Sequence, residues 1–206
     1  MYLNTRWRWT PYENIAAHVP AHGLVLDLGS GHGLLSLAMS LSEPGRTIRG
    51  IDHEPSRVHM AREAAAGQAN LEFATGSLLD VVGDENLRGK VAGIVIMDAI
   101  HYLGYDEQES LLTGARKALQ PGGVLLIRDV DASAGKSFIV NRLYEKAMTG
   151  LGFTRADRLN FRTNHEWLQV LAKAGFEAAS ARCSRFPFAD LLFACRKPAA
   201  EAALAA

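Results

Sequence analysis

Two cysteines in 206 residues are too few for a disulfide framework. Cys183 and Cys195 stand in neither CxxC nor Cys/His ligand spacing, so both read as small buried hydrophobes. No metal site is expected: His18 and His22 are four residues apart, but Pro20 breaks the helix that would align them and no third ligand lies nearby. Charge of either sign is not in excess, since lysine plus arginine equals aspartate plus glutamate at 22 each. No global field then favours nucleic acid or an anionic membrane. No apolar run approaches the roughly 20 residues that span a bilayer, and MYLNTRWRWT lacks the apolar core of a signal peptide. The expectation is a soluble, cytoplasmic protein with no stable membrane insertion. Repeats are absent, and the one low-complexity stretch, PAAEAALAA at 198–206, is expected to be a flexible tail.

What the chain does have is alternation. Short apolar or β-branched runs at 24–28, 47–51, 71–75, 92–97 and 123–128 have the composition of strands buried on both faces. Helical patterns lie between them at 33–42, 55–67 and 106–119, and the link 76–89 has room for a turn of helix. This is the pattern of an α/β domain with a parallel sheet, and the length fits one domain over 1–206. The N-terminal segment 1–22 interleaves Trp7, Trp9 and Tyr12 with Arg6 and Arg8. It is expected to be a helix that buries its aromatic residues on the sheet edge, the alternative being a substrate-covering or membrane-surface segment.

After Asp131 the rhythm changes. Residues 132–163 hold one helical stretch and no strand, and an insertion of that length in a compact domain is usually functional. Thr163 and Glu166 then make an S/T-x-x-E capping box for HEWLQVLAKAG, with Gly175 placed to end that helix. FEAASARCS and DLLFACRKP follow as two strands whose short link makes them antiparallel neighbours.

The chemistry concentrates in VLDLGSGHG, at the end of the first strand. Gly29, Gly31 and Gly33, with Ser30 between them, allow a tight turn and let a ligand approach the backbone closely. A dinucleotide fingerprint needs a small residue at position 34, where this chain has Leu34. Asp27 would repel a pyrophosphate and accept hydrogen bonds from an ammonium, directly or through water. Asp52 ends the second strand about twenty residues on, where a carboxylate can grip both hydroxyls of a ribose. A nucleoside joined to an amino acid, without phosphate, fits S-adenosylmethionine.

On these motifs the chain resembles the class I S-adenosylmethionine-dependent methyltransferases over roughly residues 22–197. DLGSGHG is similar to that family's first motif and GIDHEPSRVHMAR to its second, which implies Asp52 on the ribose and His53 beside the adenine. ATGSLLD stands where the family often has GD, with Ser77 and the Leu78 backbone as substitutes for the acid. IVIMDAIHYL resembles the fourth motif, where the backbone at Met97 and Asp98 would meet the methionine part, and LQPGGVLLIRD resembles the turn into the fifth strand. The implied fold is a Rossmann-like, doubly wound, seven-stranded sheet of order 3214576 with strand 7 antiparallel.

The resemblance implies methyl transfer to oxygen or carbon of a small organic acceptor, aromatic or acyl, leaving S-adenosylhomocysteine. Alignment carries most of such a reaction, and a base helps only where the nucleophile must lose a proton. Candidates at the carboxyl ends of the strands are His101, Tyr102, Asp129 and Asp131. The insertion lies where the family often keeps a lid, and Lys136, Arg142 and Tyr144 in it could face the pocket or solvent. Two alternatives stay open: a nucleic-acid or protein methyltransferase of the same fold, and a non-catalytic nucleotide-binding partner subunit. Against the first, the chain has no appended basic module and reads MDAIHY in place of an NPPY-type motif.

Overall fold

A computed structural model describes residues 12–150, 159–184 and 187–199, with 144–150 as helix backbone only. Trp7, Trp9, Arg6, Arg8, the Tyr144 side chain and the tail from 200 lie outside the described residues. Seven strands form one sheet: β1 Gly23–Leu28, β2 Arg46–Asp52, β3 Leu71–Thr75, β4 Val91–Met97, β5 Leu119–Val130, β6 Glu177–Arg182 and β7 Asp190–Arg196. Their order is β3-β2-β1-β4-β5-β7-β6, with β1 to β5 parallel and β7 antiparallel to both β5 and β6. This is the 3214576 arrangement implied by the motifs.

The helices are α1 Tyr12–Ala16, α2 Leu34–Ser42, α3 Pro55–Ala64, α4 Leu78–Gly83, α5 Tyr105–Ala118, α6 Lys136–Gly150 and α7 Asn164–Lys173. They cover both faces because the strands are apolar on both. Along β4, Ile94 and Ile96 pack with Leu111, Ala115 and Trp167, whereas Val95 and Met97 pack with Tyr12, Ile15 and Leu35. Each such side chain removed from water is worth about 1.5–3 kcal/mol, which is why the central strands read as unbroken apolar runs. Tyr12 belongs to the second face, so the described end of the N-terminal segment packs on the sheet.

Two boundaries differ from expectation by more than two residues. Helix α3 stops at Ala64 rather than at 67, because the turn that follows needs Gly67 at φ +92°. Strand β5 begins at Leu119, before the PGG turn, and the extra residues are absorbed by a register shift against β4 between Val91 and Gly93. The capping box closes α7 as expected, with Thr163 Oγ1 accepting from Glu166 N at 3.2 Å and Glu166 Oε2 accepting from Thr163 N at 2.8 Å.

Arg46 was not legible as a structural residue. Its buried guanidinium donates to the carbonyls of Ala16, Val19, Pro20 and Met39 and to Ser42 Oγ, closing the carboxyl ends of α1 and α2. The loop through Pro20 and His22 is thus held by an arginine, and His18 turns back onto the Asn14 carbonyl at 2.7 Å. Both cysteines are free thiols. Burial pushes Cys195 up to about 12, which leaves it inert, while Cys183 is only half-buried.

Candidate active site

The glycine loop is held in shape by the end of β2. Gly29 N and Ser30 N donate to the Ile51 carbonyl at 2.8 and 3.0 Å, and Gly31 N donates to Asp52 Oδ2 at 2.8 Å. Asp52 Oδ1 accepts from Glu54 N at 2.9 Å, so this buried carboxylate braces the loop and starts α3 at once. Gly29 (φ +81°) and Gly33 (φ +77°) are required twice over. A Cβ on the first would stand 2.4 Å from the Ala99 Cβ, and on the second 2.5 Å from the Phe73 ring. A Cβ on Gly31 would meet none of the described residues within 4 Å. Ser30 Oγ is buried beside it without a hydrogen-bond partner among the described residues. A polar atom in want of a partner, next to an exposed backbone cradle, fits a polar ligand such as the S-adenosylmethionine that the motifs imply.

Asp27 lies behind this loop, its Oδ2 accepting from Ser36 Oγ of α2 at 2.5 Å. Burial is the main force on it and raises its pKa to about 6; the Ser36 bond opposes the rise, and the neighbouring Asp52 charge adds to it. His53 is largely exposed, 3.5 Å from Asp52 Oδ1. Ser77 caps α4 by accepting from Asp80 N at 3.4 Å, and Leu78 is half-buried in the first turn.

The ends of β4 and β5 make the other wall. Met97 is buried, and Asp98 after it is the one non-glycine residue with positive φ (+52°) among the described residues. Its carboxylate takes two hydrogen bonds from Arg128 Nη1, both at 2.5 Å. His101 and Asp129 form a fully buried pair, Nδ1 to Oδ1 at 2.7 Å. The His101 ring lies between those of Tyr102 and Phe161, with centroids at 4.3 and 4.6 Å, and Phe138 of α6 meets Phe161 edge-on at 5.5 Å. The insertion therefore covers the pair.

Asp131 is occupied differently. Its Oδ1 accepts from Ser133 N, Ser133 Oγ and Asn164 N, which ties the two stems of the insertion together. Lys136 and Arg142 are exposed. Sequence reasoning missed Phe161, Gln108 and Arg128. Gln108 Nε2 donates to the carbonyls of Ile100, Leu103 and Asn160 and so fixes the His101 turn, while its Oε1 accepts from Arg162 Nε. Only Arg128 left a signal, as a basic residue beside Asp129 at the end of the apolar run VLLI.

A family model described as a methyltransferase domain matches residues 7–181. Erythromycin 3''-O-methyltransferase of Saccharopolyspora erythraea is 32% identical over 119 residues, 56% of this chain and 37% of that protein. Aclacinomycin 10-hydroxylase RdmB of Streptomyces purpurascens is 30% identical over 188 residues, 84% of this chain and 46% of that one. The chain thus spans less than half the length of these curated relatives. Among solved structures, human N-acetylserotonin methyltransferase in complex with S-adenosylmethionine superimposes with a TM-score of 0.67 at 19% identity, over 91% of this chain and 51% of that one. With the family model spanning most of its length and the sheet order in place, the chain belongs to the class I S-adenosylmethionine-dependent methyltransferase family.

Proposed function

We propose that the protein methylates a hydroxyl oxygen of a small organic acceptor enclosed beneath α6, with His101 as the general base and Asp129 as its orienting partner. The observation that carries this is the buried pair itself: a histidine and a carboxylate at 2.7 Å, at the carboxyl ends of two central strands, beside the glycine loop. When bound, S-adenosylmethionine supplies a methyl group already activated on a sulfonium. Asp27 would face its ammonium, Asp52 and His53 the ribose and adenine, Ser77 and Leu78 the adenine edge, and the Gly29–Gly33 loop with Met97 and Asp98 the methionine part.

Asp129 accepts the Nδ1 proton of His101, which leaves Nε2 as the nitrogen that takes the acceptor's proton. Asp129 then stabilises the imidazolium in place. Phe161 and Phe138 supply an apolar cover, so opening of the insertion admits the acceptor and its closure excludes water. An aromatic or acyl acceptor suits that lining. The O-methyltransferase among the relatives is in keeping with this reading, and the neutral formal charge of the chain is not what a polyanionic acceptor would select.

The test is to incubate the protein with methyl-labelled S-adenosylmethionine and an extract of its own organism, then separate small molecules from macromolecules. Label in a base-stable, ether-linked O-methyl group of a small metabolite is the expected result. Label confined to RNA or protein, or none at all, would overturn the proposal.

A further inference from the structure

Behind the Asp98 turn lies a buried polar chain with no part in the chemistry above. Arg128 sends Nη1 to Asp98 and Nη2 to Asp190 Oδ2 at 2.6 Å. Asp190 Oδ1 accepts from Asn141 Nδ2 at 3.0 Å, and Asn141 Oδ1 accepts from Ala189 N at 3.0 Å. Arg128, Asp190 and Asn141 are each at most 6% exposed. Asn141 belongs to α6, the helix that carries Phe138, whereas Asp98 sits at the tip of β4, where Asp98 N donates to the Arg128 carbonyl at 3.0 Å. Four side chains thus run from the cover to the cofactor wall.

A buried ionic cluster is a poor way to gain stability, because desolvation offsets most of the attraction. This one ties down Asp98 at a positive φ of +52°, a conformation sparsely populated by residues other than glycine, asparagine and aspartate. The turn is also in contact with the glycine loop, since Ala99 fills the space where a Gly29 side chain would stand. A shift in the Asp98 turn therefore presses on the loop directly.

We propose that Asn141, Asp190 and Arg128 are positioning residues that couple the docking of α6 to the shape of the Asp98 turn, so that covering the acceptor and holding the cofactor's methionine end reinforce each other. This rests on the reading of the glycine loop and the Asp98 turn as the S-adenosylmethionine site. Coupling of this kind is reciprocal: a bound cofactor favours the docked helix as much as the docked helix favours the cofactor.

The test uses the full chain and S-adenosylhomocysteine as the probe, with binding followed by calorimetry and the 97–103 segment followed by amide exchange. Asn141→Asp puts two carboxylates face to face, and none of the Asn141 hydrogen bonds reaches the glycine loop. Its expected effect is a dissociation constant raised about 5- to 20-fold with faster exchange at 97–103. The swap Asn141→Asp with Asp190→Asn restores the amide–carboxylate hydrogen bond but leaves Arg128 a neutral oxygen at 190, so it is expected to recover about half of the lost binding free energy. Leu143→Ser, on the exposed side of α6, leaves affinity unchanged. Asn141→Ala changes binding in the same direction and keeps the test open if the first variant does not fold. Wild-type affinity in both Asn141 variants, or a swap no better than Asn141→Asp alone, overturns the coupling while the cofactor reading stands. A wild-type protein that does not bind S-adenosylhomocysteine overturns that reading and the coupling together.

Discussion

The Asp27 carboxylate is buried behind the glycine loop, and its pKa is raised from 3.8 to about 6 chiefly by that burial. A raised carboxylate binds its proton more tightly in the folded state than in the unfolded one. Its contribution to stability is therefore full below pH 3.8 and is lost as pH rises through 6, a cost of about 3 kcal/mol at neutral pH. Asp27→Asn, which mimics the protonated form, is expected to raise stability at pH 7 by about 1–3 kcal/mol in urea unfolding while weakening S-adenosylhomocysteine binding. With Asp27 facing the ammonium as proposed, affinity of the wild-type protein for that ligand should fall about tenfold from pH 7 to pH 5, because the contact needs Asp27 ionised. Unchanged affinity over that range would remove Asp27 from the ammonium site. Asp52 braces Gly31 and Glu54, and in the proposed cofactor site it would also face the ribose, so Asp52→Ala is expected to cost about 1.5–3 kcal/mol of binding and some stability as well. Calorimetry alongside a thermal melt separates the two.

At the scale of elements, β5 is the piece that organises the site. Alternation along its last turns sends Arg128 to one face, toward Asp98 and Asp190, and Asp129 to the other, onto His101. One strand end thus supplies Arg128, which holds the Asp98 turn, and Asp129, which would orient the proposed base. The glycine loop depends just as closely on its neighbour: Gly29→Ala meets both a positive φ and the Ala99 side chain. It is expected to cost about 1–3 kcal/mol of stability and to weaken cofactor binding, read by unfolding and titration. Removal of the α7 cap by Thr163→Ala is a milder change, expected to cost about 1 kcal/mol with no effect on cofactor affinity. The central strands were legible because burial on both faces writes itself as apolar runs, as in the fully buried β4, and the loop was legible because only glycine meets its backbone demands. The Arg128 chain was not legible, since its partners lie 30 and 62 residues away and no local pattern links them. The same holds for Phe161, brought onto His101 by the return of the insertion.

For the molecule as a whole, the sheet order and the family follow from patterns that extend over most of the chain, while the reaction rests on a few side chains. The relatives make the distinction concrete, since one matched over 84% of this chain carries the name of a hydroxylase. Membership sets the fold, and the His101–Asp129 pair under its aromatic cover is what argues for proton removal from an enclosed acceptor. Among the described residues no helix is long and apolar enough to cross a membrane. The measurement that bears most directly on the account is the single-turnover rate of methyl transfer by His101→Gln against the wild-type protein, at saturating cofactor and with the acceptor found by labelling. A rate lowered by about 10²- to 10⁴-fold, with S-adenosylhomocysteine affinity within twofold of wild type, is the predicted result. A rate within a few-fold of wild type would contradict a base at His101 and leave alignment alone to account for the reaction.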